Sequence, residues 1–397
     1  MSADFPAGGA DRFPAGNRLR LLHSGGEYFP ALIAAIDAAA HEVHLETYIF
    51  ADDRTGRLVA AALAAAAQRG VAVRLLVDGF GARDFGAGLG TSLAAAGVEV
   101  MTYRPEIGQT RIRRHRLRRL HRKLTVVDGG IAFVGGINVV DDFDDGESAS
   151  PRFDYAVRIE GPLAADIHAT MRHVWRLVRW ARLGHRPPPP AALPAIAPVC
   201  GTIRAALLVR DNLRHRHDIE RAYLQAIHAA RRGIVISNAY FLPGRRFRKA
   251  LLAAAKRGVG VTLLLQGRPD HLLLHYATLS LYDRMLTAGV RVFEYEPAEL
   301  HAKVAVIDDD WATVGSSNID PFSLLLSREA NVVVRDAGFA GELRASLETA
   351  LASSAREIRA ADQRRRSWWL RLVSAAAYGV VRILIGATRY GGKQYTD

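Results

Sequence analysis

The sequence predicts an α/β protein of two duplicated halves, each a mixed sheet flanked by helices. Two internal repeats and a proline-rich break carry the prediction. In the 397-residue chain, an alanine-rich stretch leads into Arg69-Gly-Val-Ala-Val-Arg-Leu-Leu-Val-Asp-Gly79, and another into Arg257-Gly-Val-Gly-Val-Thr-Leu-Leu-Leu-Gln-Gly267. Each reads as a helix, a glycine stop and a buried strand. Further on, Ala96-Gly-Val-Glu-Val-Met-Thr-Tyr-Arg-Pro105 matches Ala288-Gly-Val-Arg-Val-Phe-Glu-Tyr-Glu-Pro297. Helices alternating with short apolar strands indicate α/β layers. Between the copies, Pro187 to Pro198 is too proline-rich for helix or sheet. The chain thus divides into a first half (1–183), a linker (184–199), a second half (200–363) and a tail (364–397).

Bulk properties narrow the partners. Apolar residues make up 49% of the chain, a globular composition and not a disordered one. A formal charge of +13 calls for an anionic partner: nucleic acid, a phosphate-bearing substrate or an acidic lipid surface. The single thiol, Cys200, excludes an internal disulfide and a cysteine zinc site. Met1 to Asn17 has no basic start followed by an apolar run, so neither a signal peptide nor an anchor is expected there.

The strongest repeat carries chemistry. His121, Lys123, Asp128, Gly135 and Asn138 recur at identical spacing as His301, Lys303, Asp308, Gly315 and Asn318. One copy alone fits a core histidine beside a surface lysine; two copies at matching places in a duplicated chain do not. His-x-Lys at the start of a strand puts both side chains on one face. The aspartates fall on the opposite parity, where the apolar run stops in turn sequences. Asp128 and Asp308 belong with the catalytic motif but read as mainly structural. The asparagines follow the second strand and can return toward the His/Lys end. Phosphoryl transfer to a nitrogen nucleophile needs a neutral imidazole, an acid for the departing oxygen, and donors around the phosphate. Two histidines supply the first two; Lys123, Lys303, Asn138 and Asn318 supply the third with no metal or other cofactor. The two imidazoles must start in opposite protonation states.

This double motif resembles the phospholipase D superfamily over nearly the whole chain. Leu45 to Phe50, Asp154 to Pro162, Asn238 to Gly244 and Trp311 to Pro321 look like bacterial cardiolipin synthases, most like the B type, which lacks the N-terminal transmembrane pair of the A type. The resemblance implies a phospholipase D fold, with two α/β halves related by a pseudo-two-fold and the active site between them. It implies that His121 is phosphatidylated while His301 protonates the leaving alcohol, and that acidic residues downstream of the asparagines, Asp154 and Glu329, orient the histidines. The implied reaction converts two phosphatidylglycerols into cardiolipin and glycerol, at the cytoplasmic face of a bacterial inner membrane. One departure is visible. The first motif has Gly136 where the second has Ser316, whose hydroxyl is expected to contact phosphate; its loss marks the halves as unequal.

Membrane binding is read from two segments. Sixteen residues separate Pro105 from His121, against four from Pro297 to His301. The insertion holds Arg111, Arg113, Arg114, Arg116, Arg118 and Arg119 and leads into the catalytic strand. These arginines are expected to grip anionic headgroups at about 1 kcal/mol each; a solvated charge run or a nucleic-acid groove is the alternative. In the tail, Arg371, Ser374, Tyr378 and Arg382 share one helical face, and the Trp368–Trp369 pair follows a basic triplet. That reads as a helix in the membrane interface, with a final core helix as the alternative. The tail favours lipid over nucleic acid. A hydrolytic phospholipase D and a nuclease are the competing functions. A further segment, Asp166 to Arg182, reads as a core-covering helix through Ile167, Met171, Val174 and Val178.

Overall fold

The computed structural model describes residues 13–105, 118–143, 150–183, 198–211, 215–268, 271–320 and 327–387. Arg111, Arg113, Arg114, Arg116 and most of the linker lie outside the described residues.

The first half runs β1 (Arg18–His23), α1 (Ser24–Asp37), β2 (Glu42–Thr47), α2 (Arg54–Gln68), β3 (Ala72–Asp78), α3 (Leu89–Ala95), β4 (Glu99–Tyr103), β5 (Arg119–Leu120), β6 (Lys123–Val127), β7 (Ile131–Gly135), β8 (Tyr155–Glu160) and α4 (Pro162–Leu183). The second runs β9 (Arg204–Arg210), α5 (Asp218–Ala229), β10 (Gly233–Asn238), α6 (Arg245–Lys256), β11 (Gly260–Gln266), α7 (Leu272–Thr287), β12 (Arg291–Tyr295), β13 (Lys303–Ile307), β14 (Trp311–Gly315), β15 (Ser327–Arg335), α8 (Ala337–Ser353) and β16 (Ala355–Ile358). Two further helices follow, α9 (Ala360–Arg365) and α10 (Trp368–Ala387).

The duplication is visible as topology. One sheet contains the order β8-β7-β6-β2-β3-β4 and the other β15-β14-β13-β10-β11-β12. In each, the three strands after the helices are parallel, and the motif hairpin joins them antiparallel. The glycine stops fall where the repeat puts them: Gly70 and Gly258 take φ values of 90° and 88°, which a side chain disfavours. Asp53 caps α2 by accepting the Gly56 N–H at 2.7 Å.

The halves share one core. Leu124, Val126, Val134 and Val157 of the first sheet pack in the same cluster as Val304, Val306, Val314 and Val332 of the second. Ile167 and Met171 of α4 and Phe339, Leu343 and Leu347 of α8 complete it. Val174 of α4 is also buried, so the apolar side of 166–182 faces inward as its spacing predicts. The outer faces carry separate cores, one involving α1 and α2, the other α5 and α6. Docking through aliphatic side chains from both sheets fixes the halves far more tightly than a polar interface would.

The tail helix departs from expectation. It does not stand apart from the protein. Its Ala377 and Val381 are buried in a cluster with Leu242, Ala277 and Leu281. Part of the polar side also turns inward: Ser374 is buried and the Tyr378 hydroxyl accepts from Arg248 at 3.2 Å, while Arg371 stays exposed. The apolar side turns outward, with Trp368 65%, Leu372 54% and Ile383 72% exposed. No helix among the described residues is long and apolar enough to cross a membrane.

Candidate active site

Each motif histidine sits just before a central strand and is held by backbone of the opposite half. The His121 N–H donates to the Arg328 carbonyl at 3.0 Å, and the His301 N–H to the Phe153 carbonyl at 2.9 Å. β5 runs parallel to β15, pairing Leu120 with Arg328, so a first-half strand completes the second sheet.

The acidic partners cross over in the same way. Nδ1 of His121 lies 3.1 and 3.2 Å from the two carboxylate oxygens of Glu329. Nδ1 of His301 lies 2.6 Å from Asp154. Each acid thus lies against the imidazole of the other half. Sheet register makes them counterparts: the Gly136 N–H donates to Tyr155 O, and the Ser316 N–H to Ala330 O, the residues just after Asp154 and Glu329. With Nδ1 facing a carboxylate, the proton is held there and Nε2 is left as the reactive nitrogen.

Burial governs the charges. It pushes both imidazoles below their ordinary pKa, His301 the further, and Lys303 adds to the effect on each. Burial also raises Asp154 to about 6 and lowers Lys123 to about 7, the latter helped by the Lys303 charge. The five groups therefore form one electrostatic unit, in which each proton depends on the others. Lys123 donates to the His121 carbonyl at 2.7 Å, and Lys303 to the His301 carbonyl. An anion entering this unit stabilises protons on both lysines and on an imidazole.

The asparagines are set by their loops. Asn138 Oδ1 accepts from Ile49 N–H at 3.2 Å, and Asn318 Oδ1 from Tyr240 N–H at 3.4 Å. That use of the oxygen directs the NH2 group away from those loops.

The motif aspartates stand apart from the histidines, and two expectations, those for Ser316 and Arg119, are corrected. Asp128 and Asp308 lie beyond the far ends of β6 and β13 from the histidines, with φ of 50° and 49°. Asp128 accepts from the N–H groups of Ala40, His41 and Glu42, and Asp308 from those of Arg231, Arg232 and Gly233. They tie the hairpin turn to the neighbouring strand and stand apart from the catalytic groups. Burial tends to raise both carboxyls, but these N–H groups hold them below the usual range. Ser316 does not offer its hydroxyl to a phosphate: it donates to Glu329 at 2.6 Å and accepts from Ala330 N–H at 3.1 Å. Arg119 is not a free headgroup contact. Its guanidinium lies 3.8 Å from the buried Asp78 and over the Phe80 ring. Arg118, beside it, is also partly buried.

The Gly136/Ser316 difference follows from the carboxylates. A Cβ on Gly136 would come within 2.4 Å of Asp154 Oδ1, so the shorter acid occupies the space of a side chain. Gly136→Ala is therefore expected to displace Asp154 from His301 and cut turnover about 10–100-fold, with the fold retained by circular dichroism. Unchanged turnover would remove the orienting role of Asp154.

Two neighbours escaped the motif reading. Tyr48 sets its ring edge-on to His121 at 4.8 Å, with the Lys123 ammonium 5.5 Å from its centroid. Arg122, between the catalytic pair, is buried in a two-pronged ion pair with Glu46, one arm at 2.9 Å. An arginine opening an otherwise apolar strand was the available signal for the second. Tyr48 lay in a recognised flanking stretch, but nothing in the periodicity aimed it at the histidine.

Duplicated α/β halves sharing one core, with crossed His–carboxylate pairs at the seam, define the two-lobed phospholipase D architecture. The chain belongs to the PLD-like cardiolipin synthase family, whose model matches residues 32–175 and 223–351. It is 40% identical over 377 residues to cardiolipin synthase B of Escherichia coli (strain K12), covering 92% of this chain and 88% of that one. Cardiolipin synthase A of Pseudomonas putida (strain GB-1) is 34% identical over 352 residues, covering 88% and 71%. Among solved structures, phosphatidylserine synthase of Haemophilus influenzae Rd KW20 superposes with a TM-score of 0.64 at 13% identity, over 94% of each chain. Polyphosphate kinase of Porphyromonas gingivalis gives 0.57 at 18% identity, over 94% of this chain and 53% of that one. These two likenesses concern the fold.

Proposed function

We propose that this protein is a cardiolipin synthase that transfers a phosphatidyl group from one phosphatidylglycerol to another and releases glycerol. The observation that carries the reading is the pair of imidazoles, each with Nδ1 on a carboxylate from the opposite half and Nε2 left for chemistry. The 40% identity to a cardiolipin synthase B supplies the substrate class. Nε2 of His121 attacks phosphorus and the P–O bond to glycerol breaks. The proton on Nε2 of His301 goes to the departing oxygen. A second phosphatidylglycerol then gives its hydroxyl proton back to His301 as its oxygen displaces His121. Lys123, Lys303, Asn138 and Asn318 stabilise the equatorial oxygens. The phosphodiester brings the negative charge that restores the acid's proton.

The tail supports a peripheral position on the membrane. Its outward face carries Trp368, Trp369, Leu372, Val380 and Ile383, an apolar strip on a chain of charge +13. An acidic lipid surface suits both features, and the cytoplasmic leaflet of a bacterial inner membrane is the surface proposed. The protein is to be mixed with phosphatidylglycerol vesicles and the products resolved by mass. Cardiolipin with an equal amount of free glycerol is expected. Phosphatidic acid alone would make the enzyme a hydrolase, and no lipid turnover would redirect attention to nucleic acid.

A further inference from the structure

The two halves differ beside their histidines. By register, Tyr48 and Ala239 are counterparts: each lies two residues before a paired bridge, Phe50 to Val139 and Phe241 to Ile319. In the first half the tyrosine ring fills the space against His121. In the second half the residue is alanine, and a cleft opens there. It has about 350 Å³ of space between atoms, part of it open to solvent, and is lined by Ala239, Tyr240, Gln266, His271, His275 and Thr278. Its enclosed part is narrow. That is room for one or two hydroxyls and not for an acyl chain.

The cleft walls are tied to the residues flanking His301. Ala239 N–H donates to Ala302 O at 3.0 Å, next to the histidine. Gln266 Oε1 accepts from Leu300 N–H at 3.1 Å, on its other side. Tyr240 N–H donates to Asn318 at 3.4 Å. The cleft walls are thus bonded to the residues on both sides of His301, although His301 itself does not line the cleft.

We propose that this cleft is the alcohol subsite, which receives the vicinal-diol headgroup of the departing glycerol and then that of the acceptor lipid. The inference rests on the phosphatidyl-transfer reading above. In-line displacement puts the attacking imidazole and the alcohol oxygen on opposite sides of phosphorus. With His121 as nucleophile, both alcohols must lie on the His301 side. The imidazoles of His271 and His275 and the Gln266 NH2 group can pair with diol hydroxyls, and the Thr278 oxygen, whose proton goes to the Phe241 or Leu274 carbonyl, can accept from one; a site built this way rejects an alcohol of equal size that lacks them. In the balanced step, the alcohol O–H proton moves to Nε2 of His301, the O–P bond forms, and the P–Nε2 bond to His121 breaks.

The test is a competition. Full-length protein on phosphatidylglycerol vesicles is given equal free glycerol, isotopically labelled, and 1-propanol, and the ratio of labelled phosphatidylglycerol to phosphatidylpropanol is measured. This ratio is independent of how much enzyme is folded. Wild type is expected to favour glycerol, and His275→Leu and Thr278→Val each to lower the ratio about tenfold, the size of one lost hydrogen bond. An unchanged ratio in both variants, with wild type transferring normally, overturns the subsite. No transfer to any alcohol by wild type overturns the phosphatidyl-transfer reading itself.

Discussion

His121→Ala is expected to abolish phosphatidyl transfer, a fall of about 10⁴-fold or more, because nucleophile and covalent intermediate disappear together. His301→Ala removes a general acid and base and is expected to cost about 10²–10⁴-fold with phosphatidylglycerol. The two are separated by a donor whose leaving group needs no proton, such as the p-nitrophenyl ester of phosphatidic acid. With it, His301→Ala should release p-nitrophenol in a burst and stall as a phosphatidyl-enzyme, with the label on His121 in peptide mass spectra. His121→Ala should give no burst. Label on His301 in the His121→Ala protein would exchange the two roles, and with them the side of the site on which the alcohol binds. The crossed carboxylates add a check. Glu329→Gln should slow the burst itself, since Glu329 lies against Nδ1 of His121.

Replacing Trp368, Leu372 and Ile383 together with serine is expected to reduce partition onto phosphatidylglycerol vesicles by about 10²–10³-fold. Each large apolar side chain contributes roughly 1.5–3 kcal/mol when it leaves water completely, and partial immersion contributes less. All three are exposed, so the fold has little to lose. Vesicle sedimentation reads the partition, and activity on monomeric short-chain phosphatidylglycerol reads the intact site. Unchanged sedimentation would assign the outward face to some contact other than lipid. Loss of both readouts would mean that the helix supports α7 and, through it, the second half.

The parts of this molecule that repeat were the legible parts. Matching segments before Gly79 and Gly267 carried the parallel strands of both sheets, and the spacing from His121 to Asn138 carried the site. Side-chain parity also separated Asp128 and Asp308 from the histidines before any coordinates did. What the sequence hid has a common physical cause. Periodicity tells which side chains share a face, not what that face meets. Spacing draws the tail's two faces, yet nothing in them says that Ser374 and Tyr378 turn toward the protein. Asp154 and Glu329 were identified by position, but their crossing depends on how two sheets dock. The Ser316 hydroxyl was expected at a phosphate because its partner, Glu329, approaches from a strand eleven residues further on. Arg119 was one of a run of arginines until Asp78, far away in the chain, provided a buried counter-charge.

The crossed pairs also bear on how the enzyme matures. A first half that folds ahead of the second presents His121 without Glu329 and without the Arg328 carbonyl that anchors its backbone. A second half on its own leaves His301 without Asp154 and Phe153. Neither intermediate has the carboxylate that fixes the tautomer of its histidine. The architecture therefore makes each histidine's setting depend on the other half, so that both sites are assembled only when the whole chain is in place.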